Sequence, residues 1–248
     1  MTVRTPLTGP ERDALFEVGR AHGLDHIGSC PAREWTSVRS RLEAGRRTGT
    51  AATMEFTFRN PARSSDPRRV LRNAASLVVA ARGYAQSVDD TLRTVDDDPA
   101  GRPQARVARY ATADHYGRLR EGLGAVAAEL RSMGHRAVVV ADDNAIVDRE
   151  AAWRAGIGWY GKNSLLLVPG QGSWFVLGSV VTDAVIAAPA APVPDGCGGC
   201  TRCLDGCPTG AIVEPGVIDA SRCLAWLVQK PGWFPREHRV ALGDRIYG

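Results

Sequence analysis

The chain has 248 residues, 44% of them hydrophobic, with a formal net charge of +4. That length makes one large domain, or one of about 180 residues with a small appendage, and buries a sizeable core. No run of about 18 apolar residues exists to span a membrane, and 1–7 carries no apolar signal core. The expected location is the cytoplasm, where six cysteines argue for metal or redox chemistry and against a disulfide framework. Of the 31 Lys and Arg residues only Lys162 and Lys230 are lysine. The arginine excess reads as codon usage, and the charge permits an anionic partner without requiring one.

Residues 10–22 read as an amphipathic helix, capped by Thr8 or Gly9, with Pro10 in its first turn and Gly23 after its end. A short strand is expected at 26–30, and a second helix at 34–45 stopping before a turn at 45–49. The polar, Arg-rich stretch 57–69 precedes a buried-strand run at 76–81. Residues 86–106, rich in Asp, Pro and Gly, read as a loop. Leu119, Leu123, Val126, Ala127 and Leu130 recur at helical spacing, so a helix is expected over 114–133. A strand at 136–140 ends in Asp142-Asp143, and a helix follows at 146–155. Strands at 164–168 and 173–181 flank Pro169-Gly-Gln-Gly172 and predict a hairpin. Strands and helices alternate, so the fold class is α/β (α+β) over residues 1–185. Residues 184–196, with Ala187-Ala-Pro-Ala-Ala-Pro-Val-Pro194, read as a stiff linker into a small segment at 186–248.

That segment holds Cys197-Gly-Gly-Cys200-Thr-Arg-Cys203-Leu-Asp-Gly-Cys207-Pro208. The spacing C-x2-C-x2-C-x3-C-P wraps a tight loop round a [4Fe–4S] cluster, and the fourth cysteine of such a run serves the other cluster of a pair. Structural zinc favours two C-x2-C pairs across a longer span. Cys223 is a further ligand candidate; its alternative is core packing. Cys30, at a strand end, reads as a plain buried thiol. Two cubanes need more thiolates than these five.

The blocks 197–216, Val217-Ile-Asp-Ala-Ser-Arg-Cys223 and Gly243-Asp-Arg-Ile-Tyr-Gly248 resemble the epoxyqueuosine reductase family. So do Gly156-Ile-Gly-Trp-Tyr-Gly-Lys-Asn163 and Gly172-Ser-Trp-Phe-Val-Leu-Gly178. The resemblance implies a cobalamin-binding catalytic domain followed by a ferredoxin-like segment with two [4Fe–4S] clusters. It implies reduction of the epoxide of epoxyqueuosine at the tRNA wobble position, the last step of queuosine biosynthesis. The partners implied are that tRNA and an external flavodoxin- or ferredoxin-like donor, acting on a monomer. Carried over by position, Cys197, Cys200 and Cys203 hold one cluster, and Cys207 with Cys223 hold the other. Their remaining ligands are expected beyond residue 248, as in a truncated chain.

The resemblance places the family's general acid at Asp142, and losing the epoxide oxygen as water does need protons. The other reading of Asp142 is a helix cap shared with Asp143 or Asn144. Lys162, with Asn163 and Ser173, is expected to meet cobalamin or a nucleic-acid phosphate. Glycines 156, 158 and 161 permit close approach of a large ligand or simply shape turns. Arg109 and Tyr110 match the family's block at the corrin, and Arg63 lies one position from a cofactor-binding arginine. The family's Gly-Arg-Asp-Tyr-His is Ala113-Asp-His-Tyr-Gly117 here, and His115 reads as a surface residue at a helix start. That departure keeps a dehalogenase-like reductase of another substrate open, and a non-enzymatic electron carrier is a third reading.

Overall fold

A computed structural model describes residues 5–85, 101, 105–189 and 191–247. Most of the loop expected at 86–106 lies outside the described residues. Helix α1 (Gly9–Ala21) is started by a capping box: Glu11 N–H donates to Thr8 Oγ1 at 3.4 Å and Thr8 N–H to Glu11 Oε2 at 2.7 Å. Strand β1 (His26–Pro31) and helix α2 (Thr36–Thr48) follow. Helix α2 runs three residues further than expected, through the anticipated turn, and stops where Gly49 adopts φ +78°. The polar stretch after it folds into short helices α3 (Phe56–Arg59) and α4 (Pro61–Ser64).

Next come β2 (Ser76–Gly83), β3 (Arg106–Val107), α5 (His115–Ser132), β4 (Ala137–Ala141) and α6 (Asp148–Arg154). Strands β5 (Trp159–Tyr160), β6 (Leu166–Leu167) and β7 (Phe175–Thr182) complete the domain. The main sheet has the order β1-β2-β7-β4 with every pairing antiparallel. The expected hairpin of 164–168 with 173–181 does not form. β6 pairs instead with β5, β7 enters the main sheet, and only a Val168–Gly172 bridge joins the two runs. Gly158 explains the β5 pairing: a Cβ there would meet the Leu167 carbonyl oxygen at 2.2 Å. This glycine packs strand on strand and does not make room for a ligand.

Strand β2 shows why its sequence is apolar throughout. Leu77, Val79 and Ala81 face one core, with Trp35, Ile146 and Ala151. Val78 and Ala80 face the other, with Leu15, Leu119, Leu123 and Val126. A period of two on a sheet covered on both faces makes every position buried. The domain is therefore three layers, helices α1 and α5 on one side of the sheet and α2 and α6 on the other. Leu123 is fully buried, and a Cβ on Gly178 of β7 would approach its Cδ1 to 2.7 Å, so helix and sheet touch closely. Leu123→Ala is expected to cost about 2–5 kcal/mol in urea unfolding of the cluster-free protein; a loss below about 1 kcal/mol would contradict this packing.

The last segment has α7 (Arg202–Asp205), a β8 (Ile212–Glu214)–β9 (Val217–Ile218) hairpin, α8 (Leu224–Leu227), α9 (Arg239–Leu242) and β10 (Arg245–Tyr247). β10 pairs in parallel with β3, and Arg106 forms an ion pair with Asp244 at 2.8 Å. The Ala- and Pro-rich linker begins later than expected. Residues 184–187 are fastened to the domain: Leu7 N–H donates to the Val185 carbonyl, Ile186 N–H to Ser76 Oγ, and Ser29 Oγ to the Ala187 carbonyl. No described helix is long and apolar enough to cross a membrane.

Candidate functional site

Strand β4 delivers the chain to a cleft. Its next residue, Asp142, has φ +55°, a left-handed conformation that Asp tolerates better than most residues. The loop after it is held in place by three bonds. Asp143 Oδ1 accepts from Ala145 N–H at 2.8 Å, Ser64 Oγ donates to the Asn144 carbonyl at 2.7 Å, and Val147 N–H donates to the Ser64 carbonyl at 3.1 Å. Helix α6 has Val147 as its N-cap, with no side-chain cap. Asp142 is thus not a helix cap; Asp143 closes the loop and Asp142 lines the cleft.

The cleft encloses about 220 Å³. Phe56, Leu165, Leu166, Phe175 and Leu177 give it apolar walls; Asp142, Asp148, Arg149, Tyr116 and Ser173 are its polar members. Sequence reasoning singles out Asp142 and Ser173 but passes over Asp148. An acid in the first turn of a helix is ordinary, since it suits the helix dipole, so pattern alone does not flag it. In the structure Asp148 Oδ1 is buried without a hydrogen-bond partner. Desolvation, aided by the negative charges of Asp142 and Asp143 and opposed by Arg149, pushes this carboxyl up to about 8. Desolvation, with the carboxylates of Asp142 and Asp148, holds the Tyr116 phenol up at about 12.

An aromatic group packs round Tyr84, and Arg109, Tyr110 and Trp174 in it are not among the residues that line the cleft. The Arg109 guanidinium lies 5.1 Å from the centre of the Trp174 ring. Tyr84 meets Trp174 edge-on at 5.9 Å, and Tyr110 packs between Tyr84 and Tyr247 at 6.2 and 6.0 Å. His115 does start α5, but it is not on the surface: it is 6% exposed and tilted against Tyr84 at 5.6 Å. Its burial, with Arg118 and Arg82 nearby, holds its ring below the ordinary histidine range. Arg63 lies on α4 and does not line the cleft; its neighbour Ser64 is the residue that braces the Asp142 loop.

Lys162 points toward the cysteines. Its Nζ donates to the carbonyls of Gly198 at 2.8 Å and Cys200 at 2.9 Å, and its own carbonyl accepts from Gly216 N–H. Asn163 Oδ1 accepts from Leu165 N–H at 3.1 Å and so shapes the same turn. In the cysteine segment, Ala211 N–H reaches Cys207 Sγ at 3.2 Å and Thr209 Oγ1 lies 3.9 Å away. Burial opposes ionisation of this thiol, but the bonds from the Ile212, Thr209 and Ala211 amides outweigh it and lower its titration. Thr209 Oγ1 also donates to the carbonyl of Arg222, next to Cys223, so the β8–β9 hairpin brings Cys207 and Cys223 to one end. Cys30 is fully buried and its thiol is pushed up to about 12, chiefly by desolvation.

Residues 196–248 match a family described as a 4Fe-4S double cluster binding domain. Beyond that segment, the chain is 32% identical to the epoxyqueuosine reductase of Bacillus subtilis over 96% of its own length and 60% of that protein. The chain is a homologue of the epoxyqueuosine reductases. It spans about three fifths of the length of the curated relatives it matches. A structure of an epoxyqueuosine reductase with an epoxyqueuosine-modified tRNA-Tyr stem loop superposes with a TM-score of 0.82 at 30% identity, over 96% of this chain and 62% of that one. A Bacillus subtilis epoxyqueuosine reductase structure, with an aspartate-bearing catalytic loop swung out of the active site, gives a TM-score of 0.84 at 31% identity, over 96% and 62%.

The residues of this homologue fit the groups such reductases imply. The amides turned onto Cys207 stabilise a thiolate, the state that binds iron. No three His, Cys, Asp or Glu among the described residues are placed to share a single metal ion; cluster thiolates each take a separate iron and stand round a cube. In the cleft wall, Phe56 and Leu165 remain more than 40% exposed, an apolar border that a large flat ligand would cover.

Proposed function

We propose that this chain reduces epoxyqueuosine to queuosine in tRNA. The observation that carries the reading is a juxtaposition. An acid-bearing cleft and the cluster loop are joined by one short turn, in which Lys162 holds the carbonyls of Gly198 and Cys200. On this reading residues 1–185 are the catalytic domain and 186–248 the cluster domain. Cys197, Cys200 and Cys203 serve one [4Fe–4S] cluster, and Cys207 and Cys223 the second. Cobalamin, when bound, supplies the low-potential metal that carries electrons to the epoxide.

The chain's own residues place the reactants and manage protons. Asp142, at the cleft wall, donates a proton to the departing oxygen. The aspartate-bearing catalytic loop of the Bacillus subtilis structure supports this assignment. Ser173, in the cleft wall, borders the corrin site; Arg109, stacked on Trp174, and Tyr110 are assigned to it by the family resemblance alone. Arg63 lies on the outer side of the loop brace. Asn163 shapes the turn from which Lys162 positions the cluster loop, and neither holds the corrin. The tRNA is held through arginines and a splayed base. An external donor of the flavodoxin or ferredoxin kind feeds the clusters of a monomer in the cytoplasm, where the six unpaired cysteines remain reduced. A mere electron carrier would not need the three-layer domain and its acid pair.

Expression in a bacterium lacking its own epoxyqueuosine reductase tests the function. Queuosine is expected to reappear in its tRNA. Persistence of epoxyqueuosine, with cluster-loaded protein present in the same cells, would contradict it. Lys162→Met is expected to speed loss of cluster iron to a chelator severalfold, because the loop loses two charge-assisted hydrogen bonds. An unchanged rate would remove Lys162 from this positioning role.

A further inference from the structure

Removing an epoxide oxygen as water breaks two C–O bonds and forms one C=C bond. The step takes up two electrons, from the low-potential donor that feeds the clusters, and two protons. One carboxylic acid supplies one proton per turnover before it must be recharged. The cleft contains a second acid that no role yet accounts for.

We propose that Asp148 is held as a neutral carboxylic acid in the cleft beside Asp142 and supplies the second proton of the reaction. This rests on the function proposed above. The geometry carries it. Asp148 lines the same cleft as Asp142, and its Oδ1 is sealed from water with no hydrogen-bond partner. Arg149, its neighbour on α6, is the nearest cation acting on it, yet Arg149 Nη1 donates to the Ser164 carbonyl at 2.5 Å, and no ion pair with Asp148 forms among the described residues. The loop after β4 presents Asp142 and Asp143 to it, and α5 presents the Tyr116 phenol. The remaining walls, Phe56, Leu166, Phe175 and Leu177, are apolar. Burial and the two carboxylates oppose its ionisation and outweigh Arg149 and a hydrogen bond from its own backbone amide, so its carboxyl is pushed up to about 8. Two acids line this one cleft, so a single site can deliver both protons that the reduction consumes.

Stability should depend on pH in a matching way. Because the folded state holds this proton above the unfolded value, its stabilising contribution is complete below about 4 and is lost as the pH rises through about 8. Asp148→Asn should therefore raise the urea midpoint relative to wild type at pH 8, with the gain shrinking toward pH 4.

The test has two arms. Carboxyl-labelled aspartate NMR of the cluster-loaded protein should show one aspartate titrating near 8. The signal should vanish in Asp148→Asn and move to lower pH in Asp142→Asn, which removes a neighbouring negative charge. In single-turnover reduction of the modified stem loop, the wild-type rate should fall about tenfold per pH unit above 8. Asp148→Asn should lose that limb and run about 10²-fold slower at pH 7, with Asp148→Glu recovering part of the rate. All aspartates titrating in the ordinary range, or Asp148→Asn keeping the wild-type rate and limb, overturns the inference. An inactive wild type that still shows the high-titrating carboxyl locates the failure in the proposed function, and proton delivery falls with it.

Discussion

Asp142→Asn is expected to slow epoxyqueuosine reduction by about 10²–10⁴-fold while iron content and corrin binding stay at wild-type levels. The substitution isolates the proton. Asp142 sits at φ +55°, and Asn, like Asp, tolerates that left-handed backbone better than most side-chain-bearing residues, so the loop keeps its course. The loop's braces also survive, because they come from Asp143 and Ser64. Asp142→Ala would mix two effects, loss of the acid and strain at a position that resists a plain Cβ residue. A matched pair in which Asn and Ala are equally slow assigns the defect to the carboxylic acid. If Asn retains full rate and only Ala is slow, the residue shapes the loop and gives no proton.

Cys207→Ser is expected to remove the cluster that Cys207 and Cys223 serve, about half of the iron and sulfide in protein that holds both clusters, with the matching loss of visible absorbance. The sulfur is the acceptor of the Ala211 amide, and the hairpin it anchors leads straight to Cys223. Cys223→Ser should produce the same loss, and the double variant no more than either alone. Cys30→Ala is the control. That thiol, on β1, is sealed in the core and kept protonated, so its removal should leave iron unchanged. Iron loss from Cys30→Ala, or none from Cys207→Ser, would reassign the ligands.

The parts of this molecule that are legible in sequence are those governed by local rules. The apolar run of β2, the helical spacing of α5 and the cysteine spacing each follow from one element's own periodicity. The false hairpin shows the limit. Residues 164–168 and 173–181 are two good strands with a good turn between them, but strand partners are chosen by tertiary packing. Trp159 and Tyr160 take one and the main sheet takes the other. His115 is misjudged for the same reason, since a polar residue at a helix start gives no sign that Tyr84 will cover it. In the site, Asp142 stands out only through family resemblance, and Lys162 stands out by its rarity while its partners, the cluster-loop carbonyls, do not. Asp148 is invisible because its burial depends on Phe56, Tyr116 and Phe175, which lie far away in sequence.

The reduction itself is the most direct measurement. The full chain is loaded anaerobically with iron, sulfide and cobalamin, reduced, and given an anticodon stem loop carrying epoxyqueuosine. The released nucleosides are then read by mass. Queuosine, one oxygen atom lighter than the substrate, is expected to form in the wild type and to fail to accumulate in Asp142→Asn. Unchanged epoxyqueuosine after incubation with wild-type protein shown spectroscopically to hold reduced clusters and corrin would contradict the proposed function.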